Sequence, residues 1–144
     1  MDGAIVCSDI LVIPDELGQK TSFGESKAPT LVPIKTVKDI ERLSTTRLYS
    51  RLKPVYETIT QLTKRLPAET ALIGFSGAPW TLATYMIEGG SSRDFQKTRL
   101  WAYKEPEEFQ LLIDCLIEAT SAHLIYQLDA GAEAVQILDR KSVV

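Results

Sequence analysis

Residues 71–77, Ala71-Leu72-Ile73-Gly74-Phe75-Ser76-Gly77, form a short apolar run that passes directly into a helical pattern from Ala78 to Glu88. A continuous run of this length reads as a strand buried on both faces, and its two glycines permit close backbone approach where it ends. Pro79 stands in the first helical turn, where its missing N–H costs nothing. A buried strand feeding a helix is the unit of a parallel sheet, and the same reading recurs on either side. Ala4 to Ser8 (AIVCS) predicts a first buried strand, and Ala132 to Leu138 (AEAVQIL) a third.

The segments between these strands are mostly helical. After Asp9, the stretch ILVIPDELG is compatible with a strand or a short helix and stops at Gly18. From Gln19 to Thr36 the chain is rich in Lys, Ser, Gly and Pro, which predicts a long irregular excursion. Thr36, with Asp39 three residues on, is an N-cap pattern for a short helix carrying Val37, Ile40 and Leu43 on one face. Arg47 to Lys64 predicts a second helix with Leu48, Leu52, Val55, Ile59 and Leu62 as its buried stripe, Pro54 falling in the first turn or kinking it. Gly89-Gly90-Ser91-Ser92 ends the helix after the second strand, and Ser91 or Ser92 can cap the next one, Arg93 to Lys104. Glu105 to Ala130 is the longest periodic segment. Phe109, Leu112, Leu116, Ala119, His123 and Tyr126 share one face, with Pro106 at its start and Gly131 at its end.

Strands alternating with helices predict an α/β chain with a parallel sheet. The strands begin near residues 4, 71 and 132, far wider than a minimal βαβ unit of about 30 residues. A closed eight-stranded barrel of about 250 residues does not fit in 144. The alternatives are a small open sheet or an incomplete (β/α)8 TIM barrel of about three parallel strands with covering helices. A core strand opening at residue 4 favours the incomplete barrel.

Composition narrows the partners. With 44% hydrophobic and 24% charged residues and a net charge of −3, the chain is neither collagen-like nor disordered, and it offers no basic stripe for nucleic acid. No apolar run approaches the roughly 20 residues of a membrane span, and Met1-Asp2-Gly3 lacks the positive start of a signal peptide, so no membrane partner and a cytoplasmic location are expected. Cys7 and Cys115 are far apart and read as reduced thiols. No CxxC or HxxxH spacing exists and His123 is the single histidine, so no metal site is expected within the chain.

Asp9 falls where the first strand ends, the side on which parallel α/β folds assemble their sites. A carboxylate between apolar neighbours such as Ile10 and Leu11 can stabilise a developing cation, and it can equally cap the following helix. In residues 74–92, GFSGAPWTLATYMIEGGSS, Phe75 offers an aromatic face to a flat ligand and Tyr85 a hydroxyl on an apolar body, while Trp80 and Met86 read as core. The Gly89-Gly90-Ser91-Ser92 turn has the look of an anion-binding loop and equally of a solvent turn. His123 and Cys115, on one helix, read as packed core residues.

Asp9 within CSDILVIPDELG, then GFSGAPWTLATYMIEGGSS, then AGAEAVQIL at 130–138 resemble three successive motifs of the uroporphyrinogen decarboxylase family in order and spacing. The resemblance implies a (β/α)8 barrel, usually a homodimer, that removes carbon dioxide from the four acetate side chains of uroporphyrinogen to give coproporphyrinogen without metal or organic cofactor. It assigns Asp9 to the pyrrole N–H groups at the macrocycle's centre, Tyr85 to a place beside Asp9 and the reacting acetate, and Phe75 to the cleft wall.

It also implies that the chain holds under half of an enzyme and is inactive alone, since the family's arginine-bearing N-terminal and histidine-bearing C-terminal motifs fall outside it. Residues 1–138 then form a partial barrel and 139–144 an atypical tail, with Arg140 where the family places a site serine. Cys7 stands where an aromatic is common. Two other readings stay open: a zinc-dependent methyltransferase of the same barrel superfamily, and a non-catalytic truncated remnant whose open sheet edges make it associate.

Overall fold

The structure is a computed structural model and describes residues 2–6, 9–22 and 30–139. Cys7, Ser8 and the tail from Arg140 lie outside the described residues, so the expectations placed on them are not met by any description. In order the elements are β1 (Asp2–Ile5), α1 (Val12–Glu16), β2 (Thr21–Ser22), β3 (Thr30–Leu31), α2 (Val37–Glu41), α3 (Leu48–Arg65), β4 (Thr70–Gly77), α4 (Pro79–Glu88), α5 (Gln96–Lys104), α6 (Pro106–Ala130) and β5 (Ala134–Leu138).

The α/β class and the parallel sheet are as expected. β1, β4 and β5 pair in that order, both pairings parallel, with Ile5 opposite Ile73 and Phe75 opposite Gln136. Chain order equals sheet order, and the helices cover one face only. Leu72 of β4 packs there against Ile59 of α3 and Ala132, with Ala4 and Val6 beside them. Helices on one face of strands taken in sequence are the arrangement of a (β/α)8 barrel, whereas a doubly wound sheet carries them on both. The chain is an arc of such a barrel.

One expectation fails in an informative way. The first and third strands read as buried, yet Ile5 is 58% exposed and Ile137 and Leu138 are each 48% exposed. They are the outer strands of a three-stranded sheet, so each lacks a neighbour on one side, and no helix covers their other face. A continuous apolar run marks a strand built for burial on both faces, and this arc supplies only one.

The main core lies between the helices. Leu48, Leu52 and Tyr56 of α3 meet Leu82, Ala83 and Met86 of α4 and Leu112, Leu116 and Ala119 of α6. Pro54 sits in the second turn of α3, one turn later than expected. Within the expected irregular excursion, the described residues on either side of 23–29 form a small antiparallel ladder of β2 and β3, and the chain after it is strapped to the end of α4. Leu31 N donates to Gly89 O at 3.0 Å and Ile34 N to Met86 O at 2.9 Å, which carries Leu31 and Ile34 into the core. Gly89 closes α4 at φ +80°, where an added Cβ would lie 2.7 Å from Pro33.

The helix after that turn starts at Gln96 rather than Arg93. Ser92 Oγ accepts from Phe95 N, and Phe95 adopts φ +52°, so the residues before it cannot continue a right-handed helix. By length and composition α6 is capable of crossing a membrane, which the search for an uninterrupted apolar run passed over. Its stripe is spent inside the protein, where Leu112, Leu116, Ala119, His123 and Gln127 are buried, and it acts here as the central core helix.

Candidate functional site

The carboxyl end of β4 meets the start of α1 at a crevice too narrow to admit a water molecule, lined by Asp9, Ile10, Val12, Ile13, Phe75, Ser76, Gly77 and His123; β1 ends at Ile5, so Asp9 lies four residues beyond the strand and not at its last position as expected. Asp9 is exposed at its mouth. Its Oδ1 accepts from Leu11 N at 3.0 Å, and its backbone carbonyl accepts from Val12 N at 3.1 Å. The aspartate therefore shapes the turn before α1, whose N-cap is Leu11 and carries no side-chain cap, so Asp9 is not the helix cap that the alternative reading expected. That turn uses one carboxylate oxygen; Oδ2 has no protein partner among the described residues.

Phe75 is buried, and its strand position faces the side of the sheet that carries no helix. The segment from Asp9 to Ile13 shares the crevice with it, which brings two of the three expected site residues together. Tyr85 is on α4, half-buried against the main core, and is not among the residues lining that crevice. Trp80 stacks edge-on to Phe109 with ring centroids 5.8 Å apart, and Met86 is fully buried, both as core reading required. The Gly89-Gly90-Ser91-Ser92 turn spends its groups internally: Gly89 N donates to Tyr85 O, and Ser92 Oγ serves Phe95 N.

Beneath the crevice is a buried polar chain that the sequence reading only half recovered. His123 is 1% exposed, and its Nδ1 lies 3.0 Å from Tyr56 Oη. Burial pulls its imidazole down to about 4, so it is neutral at pH 7. The same burial raises the Tyr56 phenol, with Tyr126 and Tyr49 adding to the shift. Four residues on, Gln127 is also 1% exposed and was not singled out in the sequence. Its Oε1 accepts from Phe75 N at 2.8 Å, and its Nε2 donates to Phe75 O at 3.0 Å and to His123 O at 3.2 Å. The signal was available: a glutamine on the core-facing period of an apolar helix must find partners for both ends of its amide.

Cys115 is half-buried, and burial followed by the Glu118 charge raises its thiol above the ordinary range. Among the described residues no group of His, Cys, Asp and Glu side chains is arranged to hold a metal ion. Chemically, the gap itself has no room for a ligand; what is on offer is the exposed Asp9 carboxylate at its edge, suited to a partner carrying N–H groups or positive charge outside it.

Comparison with known proteins agrees with that placement. The family profile described as uroporphyrinogen decarboxylase matches residues 1–144. The chain is 50% identical over 138 residues to the uroporphyrinogen decarboxylase of Rhodospirillum rubrum, covering 96% of this chain and 40% of that protein. It is 50% identical over 143 residues to that of Brucella anthropi, covering 99% and 42%, and 48% identical over 139 residues to that of Agrobacterium fabrum, covering 96% and 40%. The chain thus spans about two fifths of the length of the curated relatives it matches. Among solved structures, a methyltransferase from Methanosarcina mazei superposes with a TM-score of 0.74 at 18% identity, over 94% of this chain and 40% of that one, which is a likeness of fold. A profile matched from end to end and relatives near half identity place this chain in the uroporphyrinogen decarboxylase family.

Proposed function

We propose that this chain contributes the Asp9 side of a site that decarboxylates the four acetate side chains of uroporphyrinogen to coproporphyrinogen. In this reading a proton added to a pyrrole carbon makes that ring cationic. The carbon–carboxylate bond of its acetate then breaks, carbon dioxide leaves, and the bonding pair flows into the ring. The remaining carbon takes up a proton and becomes a methyl group, and the proton first placed on the ring carbon is lost, which restores the neutral pyrrole, so one proton is consumed for each carbon dioxide released. Asp9 lowers the energy of the cation and receives the pyrrole N–H groups, because a fixed anion at a partly apolar crevice is weakly screened. Phe75 forms the wall against which the macrocycle lies, and Tyr85 acts as a hydrogen-bonding partner to the acetate. The working protein is a cytoplasmic homodimer in the same reading.

The observation that carries the proposal is the position of Asp9. One oxygen fixes its own turn, the other has no protein partner among the described residues, and Phe75 lines the same crevice. The near-half identity to proteins named as decarboxylases supports this chemistry over the methyltransferase reading, which rests on an 18% likeness of fold.

The test is equilibrium dialysis of the purified chain against uroporphyrinogen I held reduced, comparing wild type with Asp9→Asn. A loss of affinity of ten-fold or more in a variant that melts like wild type is the expected result. Equal affinity in the two overturns the role of Asp9. Incubation of the chain alone is expected to yield no coproporphyrinogen by chromatography, and product formed at a rate typical of enzymes refutes that part.

A further inference from the structure

The pairing of β1 with β4 changes character at Phe75. Ile73 O accepts from Val6 N on the β1 side, and Leu72 O accepts from Glu133 N on the β5 side. Backbone groups of a strand alternate in direction, so Phe75, two residues after Ile73, also turns its N–H and C=O towards β1. Both groups are taken there by one side chain from α6. Gln127 accepts from Phe75 N at 2.8 Å and donates to Phe75 O at 3.0 Å, as a neighbouring strand would.

The amide reaches that position only because residue 74 has no side chain. A Cβ on Gly74 would stand 2.9 Å from Gln127 Oε1 and 3.2 Å from Gln127 Cβ. The third bond, to His123 O at 3.2 Å, ties the amide to its own helix and sets its orientation. Gln127 therefore sits like a wedge on the edge of β4 that faces β1, one residue from the Gly74 gap and directly behind the crevice that Asp9 and Phe75 share.

We propose that Gln127 is a positioning residue for the tetrapyrrole site: its amide replaces a strand partner at Phe75, holds β1 and β4 apart at their ends, and so sets the distance between the Phe75 ring and the Asp9 carboxylate. The proposal rests on the porphyrinogen reading for its ligand and on the two hydrogen bonds for its geometry. Two close-sized variants separate the roles. Gln127→Leu removes both bonds. Gln127→Glu keeps an acceptor at all pH values and regains a donor when the introduced carboxyl is protonated, which burial favours.

The experiment combines uroporphyrinogen I dialysis at pH 7.5 and 5.5 with amide exchange and methyl shifts by NMR. In wild type the Phe75 amide is protected at both pH values. In Gln127→Leu its exchange accelerates a hundred-fold or more, while the Gly74 and Ser76 amides, turned towards β5, stay protected, and affinity falls at least ten-fold at both pH values. In Gln127→Glu the same loss appears at pH 7.5 and reverts to within three-fold of wild type at pH 5.5, a pH profile that lost packing does not produce. Unchanged affinity in variants whose Phe75 amide has been freed overturns the proposal. If wild type itself fails to bind, the porphyrinogen reading falls separately. The wedge is then judged by the Ile10 and Ile13 methyl resonances across the crevice from Phe75: displaced in Gln127→Leu they uphold it, unmoved they overturn it.

Discussion

Tyr56 Oη and His123 Nδ1 lie 3.0 Å apart in the seam between α3 and α6, each on a side chain no more than 5% exposed. The bond joins the two longest helices at a depth where neither group has another route to satisfaction. Removing the hydroxyl leaves a buried ring nitrogen without a partner, which costs about 1–3 kcal/mol. Tyr56→Phe is expected to lose stability in that range in urea titrations, with an unchanged m-value because the ring stack with Tyr49 and Tyr126 remains.

The same histidine makes the fold acid-sensitive. Its imidazole titrates at about 4 in the folded chain against 6.5 when free, so between those values the unfolded chain carries the extra proton. Stability from this group is complete above about pH 6.5, falls by about 1.4 kcal/mol per unit below it, and levels off near pH 4 after a loss of roughly 3 kcal/mol. Denaturation series from pH 7 to 4 on wild type and His123→Gln check this. The difference between the two curves should carry that slope, and parallel curves count against it.

The short helix α2 depends on its first turn. Asp39 N donates to Thr36 Oγ1 at 3.4 Å, and the Asp39 carboxylate accepts from Thr36 N at 3.1 Å, a complete capping box. Hydrogen bonds from the Lys35 and Thr36 backbone also hold the Asp39 carboxyl below its ordinary range. Thr36→Ala should cost about 1 kcal/mol in thermal or urea unfolding, and Thr36→Ser should recover most of it.

Two glycines give opposite expectations. Gly131 ends α6 at φ +122°, and a Cβ there would stand 2.6 Å from Thr63 Cγ2, whereas Gly90 has nothing within 4 Å and an unstrained backbone. Gly131→Ala is expected to lower stability by more than about 1 kcal/mol, and Gly90→Ala to leave it unchanged or slightly raised. Paired melting curves are sufficient to compare them.

Much of this architecture was legible because its signals are local. The strand at residues 71–77, the Thr36 cap, Pro79 and Pro106 at helix starts, and Gly131 at a helix end each depend on residues within one turn. The exposure of β1 and β5 was not legible, since apolarity records what a strand is built to bury and the covering elements are not in the arc. Nor was the late start of α5, which follows from the backbone of Phe95 and the hydroxyl of Ser92 acting together. For the site, the sequence grouped Asp9 with Tyr85 and Phe75; Asp9 and Phe75 line one crevice, and Tyr85 lies against the main core away from it. The core-facing position of Gln127 was legible from the helical period, but its partner was not, since the amide reaches Phe75 only beside Gly74, a residue that acts by having no side chain.

Among the described residues, both apolar core clusters lie on the helical side of the sheet, and neither waits for a filled lumen. Docking of α3 and α6 onto β4 can thus be finished early in synthesis, as a cooperative unit that later strands of a longer relative would join one at a time. Assembly of such a barrel would then resemble templated growth from a seed more than simultaneous collapse around a centre.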